Sequence, residues 1–421
     1  MIETHKLAER AFIVGVKLQE NSKEEVEESL SELASLVDTA GAVVVNSFIQ
    51  ARHGLDSAFY IGKGKVQELK AYAEAEKIDT IIFDTELSPS QIKNLEREIG
   101  KKILDRSWII LDIFASRAKT REAKTQVELA QLNYFMPRLT RQWTHLSRQA
   151  GGGGVGTKGP GETQLETDKR LIRTRIQKLE SELEVIGKQR EFRRRSRKDE
   201  FKVSLVGYTN VGKSTLMNKL CNAGLLAENR LFATLDSTTR IIELENKKKF
   251  LLSDTVGFIK KLPHNLVASF RSTLEEVNDS DLLLHVIDIS HSNYKEQIAT
   301  VEKVLNELGS EHKKVIYVFN KSDNLTSESF EDKSDDKYKD NSFFISAQTG
   351  LNIDKLLARI IEIMESEYQT EVLDIDIKDS KIISTIHSMS EVLEEDYQEE
   401  KIVIKFRAKQ STIDYIKSLV A

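Results

Sequence analysis

A lysine set between glycines and hydroxyls gives the first chemical expectation. Gly207-Tyr208-Thr209-Asn210-Val211-Gly212-Lys213-Ser214-Thr215 follows the apolar run Val203-Ser204-Leu205-Val206 and precedes Leu216, Met217 and Leu220 at helical spacing. Strand, G-x-x-x-x-G-K-S loop and helix together predict a phosphate-binding loop. Its backbone N–H groups would cradle a polyphosphate, helped by the positive end of the helix dipole. The Lys213 ammonium would reach the β- and γ-phosphates, and the Ser214 hydroxyl would hold Mg²⁺.

Further segments choose the base. The apolar run Val315-Ile316-Tyr317-Val318-Phe319 ends in Asn320-Lys321-Ser322-Asp323. A carboxylate at Asp323 can accept from guanine N1–H and N2–H₂. Adenine lacks both donors and would leave that carboxylate unpaired. Asn320 can bond guanine and tie the phosphate loop to this segment, and the Lys321 stem can lie against the base. Ser346-Ala347 follows the next apolar run, Phe343-Phe344-Ile345, and would set the Ala347 N–H near guanine O6. Asp254-Thr255-Val256-Gly257 follows Phe250-Leu251-Leu252. Asp254 would hold Mg²⁺ through a water, and the Gly257 N–H would report whether a γ-phosphate is present. In Leu231-Phe232-Ala233-Thr234-Leu235-Asp236, Thr234 is the candidate to complete the Mg²⁺ shell, with Thr238 and Thr239 as alternatives. Phe258 occupies the place where many GTPases carry a water-orienting glutamine, and it can neither donate nor accept a hydrogen bond.

The elements that must position these groups are legible as patterns. Alternating strands and helices over residues 1–120 predict a small, largely parallel α/β domain: strands at 12–16, 42–45, 80–83 and 102–104, helices at 24–36, 66–75 and 90–99. Gly62-Lys63-Gly64-Lys65 between them could touch a phosphate, although a solvated turn is the plainer reading. Residues 121–143, interrupted at Pro137, and 165–197 read as two helices, with Ala123, Val127, Ala130 and Tyr134 spaced along the first. Ile172, Ile176, Leu179, Leu183 and Ile186 repeat as a coiled-coil seam on the second. They predict an antiparallel hairpin over 121–200 with a glycine-rich loop at 151–161. Arg138, Arg141, Trp143, His145, Arg148, Lys158, Lys169, Arg170 and Arg173 flank that loop. Positive charge around a backbone with few side chains suits close-packed RNA. A second basic run, from Lys188 to Lys198, reads equally well as a solvated face. Residues 201–366 should form a doubly wound, mostly parallel nucleotide domain. Residues 367–421 should form a small C-terminal α/β unit, with a strand at 371–377, a helix at 381–393, a strand at 401–406 and a helix at 413–419.

Composition sets bounds. A chain of 421 residues, with 39% hydrophobic and 31% charged residues and net charge -5, suits several soluble domains. The single cysteine, Cys221, excludes an internal disulfide and a cysteine-based zinc site, and points to a reducing compartment. No run of roughly 18 apolar residues predicts a membrane span, and the N-terminus lacks a signal-peptide core, so a cytoplasmic location is expected.

Taken together, Gly207 to Ser214, Phe232-Ala233-Thr234-Leu235-Asp236 and Asp254-Thr255-Val256-Gly257-Phe258 resemble the HflX family of translation-factor-related GTPases. So do Gly159-Pro160-Gly161-Glu162, Leu165-Glu166-Thr167-Asp168-Lys169-Arg170, Gln126-Val127-Glu128-Leu129-Ala130-Gln131-Leu132 and Arg138-Leu139-Thr140. The resemblance runs from about the first strand to residue 366. Ser237 stands where the family usually has proline, which implies a more mobile switch. The resemblance implies a hydrophobic-substituted GTPase using GTP/GDP and Mg²⁺, slow alone and stimulated by a partner. Lys213, Thr234 and Gly257 would act in the chemistry, with Ser214 and Thr234 on the metal. It implies a partner in the large (50S) ribosomal subunit, near the peptidyl-transferase region. It further implies splitting of stalled or idle 70S ribosomes, with hydrolysis releasing a factor expected to be monomeric when free. The rival expectation is an RNA-remodelling or assembly factor with ATP bound by residues 1–120.

Overall fold

The computed structural model describes residues 8–139, 164–195, 200–221, 231–232, 235, 238–244, 249–261, 276–325, 338, 341–398 and 400–420. Four parallel strands, in the order β2-β1-β3-β4, form the first sheet: β1 (Arg10–Lys17), β2 (Val43–Ala51), β3 (Thr80–Phe83) and β4 (Lys102–Asp105). The connecting helices are α1 (Lys23–Thr39), α2 (Lys63–Ala75) and α3 (Pro89–Ile99), followed by α4 (Arg106–Arg117). Ser22 and Ser88 close capping boxes with Glu25 and Gln91, which fix where α1 and α3 begin. Strand β2 runs well past residue 45, because it pairs with β1 along its whole length. Lys63, Gly64 and Lys65 form the first turn of α2 rather than a turn before it. Helix α4 is an addition to the sequence reading. Its start is fixed by the buried Asp105 carboxylate, which accepts from Trp108 N–H at 2.9 Å and Leu87 N–H at 3.1 Å.

Helix α5 (Arg121–Phe135) stops where Pro137 forces a short 3-10 turn, Met136–Arg138. Helix α6 (Gln164–Arg195) returns against it. Arg121 pairs with Glu182 and Arg175 with Glu128, a crossed order that makes the pair antiparallel. The packing differs from the sequence reading in one respect. Ala123, Val127, Ala130 and Tyr134 face the core shared with Ile110, Ile113 and Phe114 of α4. Leu129, with Leu132 and Met136, meets Ile172, Ile176, Leu179 and Leu183 of α6.

The central sheet is doubly wound, in the order β10-β9-β8-β5-β7-β6. It comprises β5 (Phe201–Gly207), β6 (Thr238–Glu243), β7 (Lys249–Asp254), β8 (Leu282–Asp288), β9 (Lys314–Asn320) and β10 (Ser342–Phe344). All neighbours are parallel except β6 against β7. Helices α7 (Lys213–Cys221), α8 (Tyr294–Glu307) and α9 (Ile353–Ser366) accompany it. Strands β5, β7, β8 and β9 end near one another, so the loops after them converge, as expected at the carboxyl ends of a parallel sheet.

The C-terminal segment forms an antiparallel sheet, β11-β13-β12. Its strands are β11 (Tyr368–Asp376), β12 (Glu391–Tyr397) and β13 (Lys401–Lys409), and its helices α10 (Ser380–Met389) and α11 (Gln410–Val420). The predicted helix over 381–393 therefore stops at Met389, and the residues after it join the sheet. Pairing of Val392 with Phe406 and Tyr397 with Ile402 outweighs the weak strand propensity of the intervening acids. Among the described residues no helix is long and apolar enough to cross a membrane.

Candidate functional site

The phosphate loop joins β5 to α7. Gly207 has φ +151°, and a Cβ there would lie 2.2 Å from the Val286 carbonyl oxygen. Gly212 has φ +94°, and a Cβ there would lie 2.4 Å from Asn320 Nδ2. Both positions therefore demand glycine for backbone conformation and for space. Asn210 adopts a left-handed φ of 60°, which asparagine tolerates. The Lys213 ammonium is buried and donates to the carbonyls of Gly207 at 3.0 Å and Tyr208 at 2.7 Å. Burial lowers its pKa to about 8, opposed by the nearby Asp254 carboxylate. Ser214 Oγ donates to Asp254 Oδ2 at 2.6 Å. These two hard oxygen donors, side by side next to the phosphate loop, fit Mg²⁺. Thr255 is a structural neighbour: its hydroxyl donates to the Leu205 carbonyl at 2.6 Å. Val256 is buried, while Thr215 lies in the first turn of α7.

The segment after Asp254 is stitched to the phosphate loop. Thr209 N–H donates to the Phe258 carbonyl at 2.8 Å, and Phe258 N–H donates to the Gly207 carbonyl at 3.1 Å. These bonds bring Gly257 so close that a Cβ there would meet Thr209 Cα at 2.9 Å and Lys213 Nζ at 3.0 Å. The Phe258 ring is buried in the core and cannot orient water. Phe232, at φ 54°, packs its ring edge-on against Phe114 of α4, with centroids 4.7 Å apart. Leu235 is buried in the same core. Ala233, Thr234, Asp236 and Ser237 lie outside the described residues. Thr239, an alternative to Thr234, meets the Ser253 hydroxyl at 2.9 Å.

The base-reading segments converge on the same loop. Asn320 Nδ2 donates to the Val211 carbonyl at 2.8 Å, and its Oδ1 accepts from Ala347 N–H at 2.9 Å. One side chain thus joins three of the expected segments. Lys321, at a left-handed φ of 62°, donates to the Asn210 carbonyl at 3.0 Å and pairs with Asp288 at 2.6 Å. Ser322 Oγ donates to the Ile345 carbonyl at 2.7 Å, and the buried Ser346 hydroxyl accepts from Thr349 N–H at 3.1 Å. The Asp323 carboxylate stays exposed at the rim, where an incoming base can meet it.

Sequence reasoning missed a network between α1, α4 and the phosphate loop. The Tyr208 hydroxyl donates to the Glu32 carboxylate and accepts from Lys260 N–H at 2.7 Å. Burial, then Glu32, pushes the Tyr208 phenol far up. Arg106, almost wholly buried, bridges Glu32 and Asp84, the latter at 2.8 Å. Burial works against its charge, but Glu32 and Asp84 outweigh it and raise its pKa. Lys261 reaches Asp84 at 2.5 Å and Ser29 Oγ at 2.9 Å. Lys260 pairs with Glu296 at 2.5 Å and Glu28 at 3.6 Å. The available signal was Arg106 itself, an arginine opening a helix whose Trp108, Ile109, Ile110, Leu111, Ile113 and Phe114 are apolar.

Two expectations about charge change. Arg138 was read as part of the basic collar, but it is buried, stacked 3.6 Å from the Tyr134 ring centre and paired with Glu86 at 3.0 Å. It serves the junction between α5 and the first sheet. At Gly62, the N–H donates to Gln50 Oε1 at 2.9 Å, so that amide is already engaged. Arg141, Trp143, His145, Arg148, Lys158 and the loop 151–161 lie outside the described residues. Arg170 and Arg173 are exposed on α6.

His285, buried in β8, gives a pH prediction. Burial, and then Lys213, lowers its pKa to about 3. Below the unfolded value near 6.5 the unfolded chain takes up a proton that the folded chain refuses. Stability should then fall by about 1.4 kcal/mol per pH unit until pH approaches 3. Comparing urea unfolding of wild type and His285→Gln at pH 7 and 5.5 checks this. The variant should lose less stability between the two by about 1.3 kcal/mol, and equal slopes would contradict it.

Residues 27–115 match the family described as GTP-binding GTPase N-terminal, and 117–197 the GTP-binding GTPase middle region. Residues 202–321 match the 50S ribosome-binding GTPase family. A GTPase HflX from Escherichia coli is 40% identical over 99% of this chain and 96% of its own length. One from Flavobacterium psychrophilum is 51% identical over 75% of this chain and 76% of its own. A solved GTP-binding protein from Sulfolobus solfataricus, in complex with GDP, aligns at TM-score 0.45 and 28% identity, over 84% of this chain and 98% of that one.

Proposed function

Because this chain belongs to the HflX family of GTPases, we propose that its hydrolysis of GTP controls binding to the large ribosomal subunit. In the GTP state it splits stalled or idle 70S ribosomes into subunits, and hydrolysis drives its release. The observation that carries the nucleotide part is the Asn320 side chain, which couples the phosphate loop at Val211 to the base-reading segment at Ala347. The ribosomal part is supported by the antiparallel packing of α5 on α6, together with the glycines and cations that the sequence places between those helices.

In this reading the loop from Gly207 to Thr215 cradles the phosphates, and Asn320, Lys321, Ser322, Asp323, Ser346 and Ala347 read guanine. Ser214, Asp254 through a water, and Thr234 would hold Mg²⁺, which supplies positive charge at the β- and γ-phosphates. Lys213 offsets phosphoryl charge from the opposite side, and the Gly257 N–H senses the γ-phosphate. Little covalent work is asked of the protein: positioning and electrostatics lower the barrier.

Sedimentation of 70S ribosomes with the protein and GTP, GDP or a non-hydrolysable GTP analogue tests the proposal. GTP and the analogue should convert 70S to subunits, whereas GDP should not. Deleting residues 151–161 should abolish the conversion while leaving nucleotide affinity intact. Subunit binding undiminished by that deletion would sink the role given to the hairpin.

A further inference from the structure

Phe258 leaves an unfilled role: a polar group that orients the attacking water. The structure assigns this role to the Thr209 hydroxyl, which we infer contacts the water and the γ-phosphate of bound GTP. The inference rests on the GTP-hydrolysing reading above and deepens it.

Three observations converge on this side chain. First, Thr209 sits in the phosphate loop itself, two residues after Gly207, and is 6% exposed. Its backbone N–H is fixed to the Phe258 carbonyl at 2.8 Å, so the side chain is held against the sensing segment rather than swinging free. Secondly, it is in the right company. The Cβ position of Gly257 lies 2.8 Å from Thr209 Cγ2 and 3.0 Å from Lys213 Nζ. The threonine side chain, the sensing glycine and the phosphate-binding ammonium therefore meet at one point. Thirdly, Thr209 Oγ1 is buried and has no hydrogen-bond partner among the described residues. A buried hydroxyl without a partner costs about 1–3 kcal/mol, so such a group calls for an explanation. Ser214, Thr255 and Ser322, the neighbouring hydroxyls of the same site, all have partners. Thr209 also lines a cleft of about 180 Å³ with Tyr208, Asn210, Glu28, Glu32 and Lys260.

A hydroxyl can accept one hydrogen bond and donate another. Thr209 Oγ1 accepts from the attacking water and donates to a γ-phosphoryl oxygen, holding the two in line. The water oxygen then bonds to the γ-phosphorus. The bond to the β,γ-bridging oxygen breaks, and its electron pair leaves on GDP. The water proton ends on the released phosphate, while Thr209 keeps its own. The residue orients and stabilises without entering the covalent chemistry, as expected for phosphoryl transfer dominated by positioning. The threonine methyl, packed on Gly257, keeps the hydroxyl in one rotamer, because a β-branched side chain is stiff at χ1.

The test is single-turnover GTP hydrolysis by the full chain without ribosomes, together with GDP affinity measured separately. Thr209→Val keeps the branched shape and removes only the hydroxyl. Its rate should fall about 100-fold, the scale set by losing one positioned donor, with GDP affinity unchanged. Thr209→Ser should recover most of that rate. A wild-type rate in Thr209→Val overturns the assignment. So does a loss of GDP affinity in step with the rate, which marks a merely structural residue. If the wild-type chain itself fails to hydrolyse GTP, the parent reading fails instead. The two failures are thus distinguishable, and neither depends on the ribosomal proposal.

Discussion

Asp323→Asn should convert the protein from a guanine to a xanthine nucleotide binder. On the guanine-reading proposal Ala347 and Asp323 flank the base, and the Ala347 N–H donates to Asn320 Oδ1 at 2.9 Å, which ties the two base-reading segments together. The Asp323 carboxylate is exposed, and on that proposal it would accept from guanine N1–H and N2–H₂. Asparagine keeps one acceptor but offers an N–H₂ to the guanine amino group, so one hydrogen bond is lost and two donors face each other. Hydrogen bonds to a charged group contribute about 1.5–3 kcal/mol each. The lost bond alone should therefore lower GDP affinity about 10- to 150-fold, and the opposed donors should lower it further. Xanthine carries a carbonyl where guanine carries the amine, and the new amide can donate to it. Titration with GDP and XDP in parallel checks the exchange. Unchanged GDP affinity would remove Asp323 from the site, and equal loss of both nucleotides would point to local unfolding.

The second large effect is expected at Gly257. Its backbone has no left-handed requirement, so alanine is conformationally acceptable there. Space is the obstacle, since the new methyl would lie 2.9 Å from the Thr209 backbone Cα and 2.8 Å from its methyl. The backbone contact cannot yield by a rotamer change. Gly257→Ala must therefore push the sensing segment off the phosphate loop and break the Thr209–Phe258 hydrogen bonding. Turnover should drop by about 100-fold, equivalent to about 2.7 kcal/mol of barrier. GDP, which makes no γ-phosphate contact, should bind nearly as before. Stopped-flow GDP binding beside single-turnover hydrolysis checks the split. Near-normal hydrolysis would show that the contact between Gly257 and Thr209 is not maintained during the reaction.

The parts of the fold that follow from local pattern were legible in the sequence. The phosphate loop is a strand, a glycine turn and a helix in unbroken succession, and its glycines are required for reasons visible one residue at a time. The Asn320 bridge was likewise foreseeable, because an amide offers a donor and an acceptor to two backbones at once. Long-range partners were less visible. Glu28 and Glu32 on α1 look like members of a solvated helix face, and nothing local says that Tyr208 and Lys260, far along the chain, will cover them. Arg138 reads as one more cation before a basic loop, yet Tyr134, Glu86 and Asp105 enclose it. The acidic stretch 391–397 carries little strand character, and only the adjoining β13 recruits it into a sheet. Helix α5 shows the same limit: its periodicity revealed a buried face, but not that this face meets α4 rather than α6.

The ion cluster beneath the phosphate loop bears on how the molecule can be dissected. Glu28, Glu32 and Asp84 belong to the first sheet's half, as does Arg106, whereas Lys260 and Lys261 come from the nucleotide half. Cutting the chain between the halves strands three carboxylates with one guanidinium, a local excess of two negative charges. A truncated N-terminal piece would then relieve that repulsion with acid, salt or whatever cation the buffer supplies. Affinities measured on such a fragment would describe the wound rather than the domain.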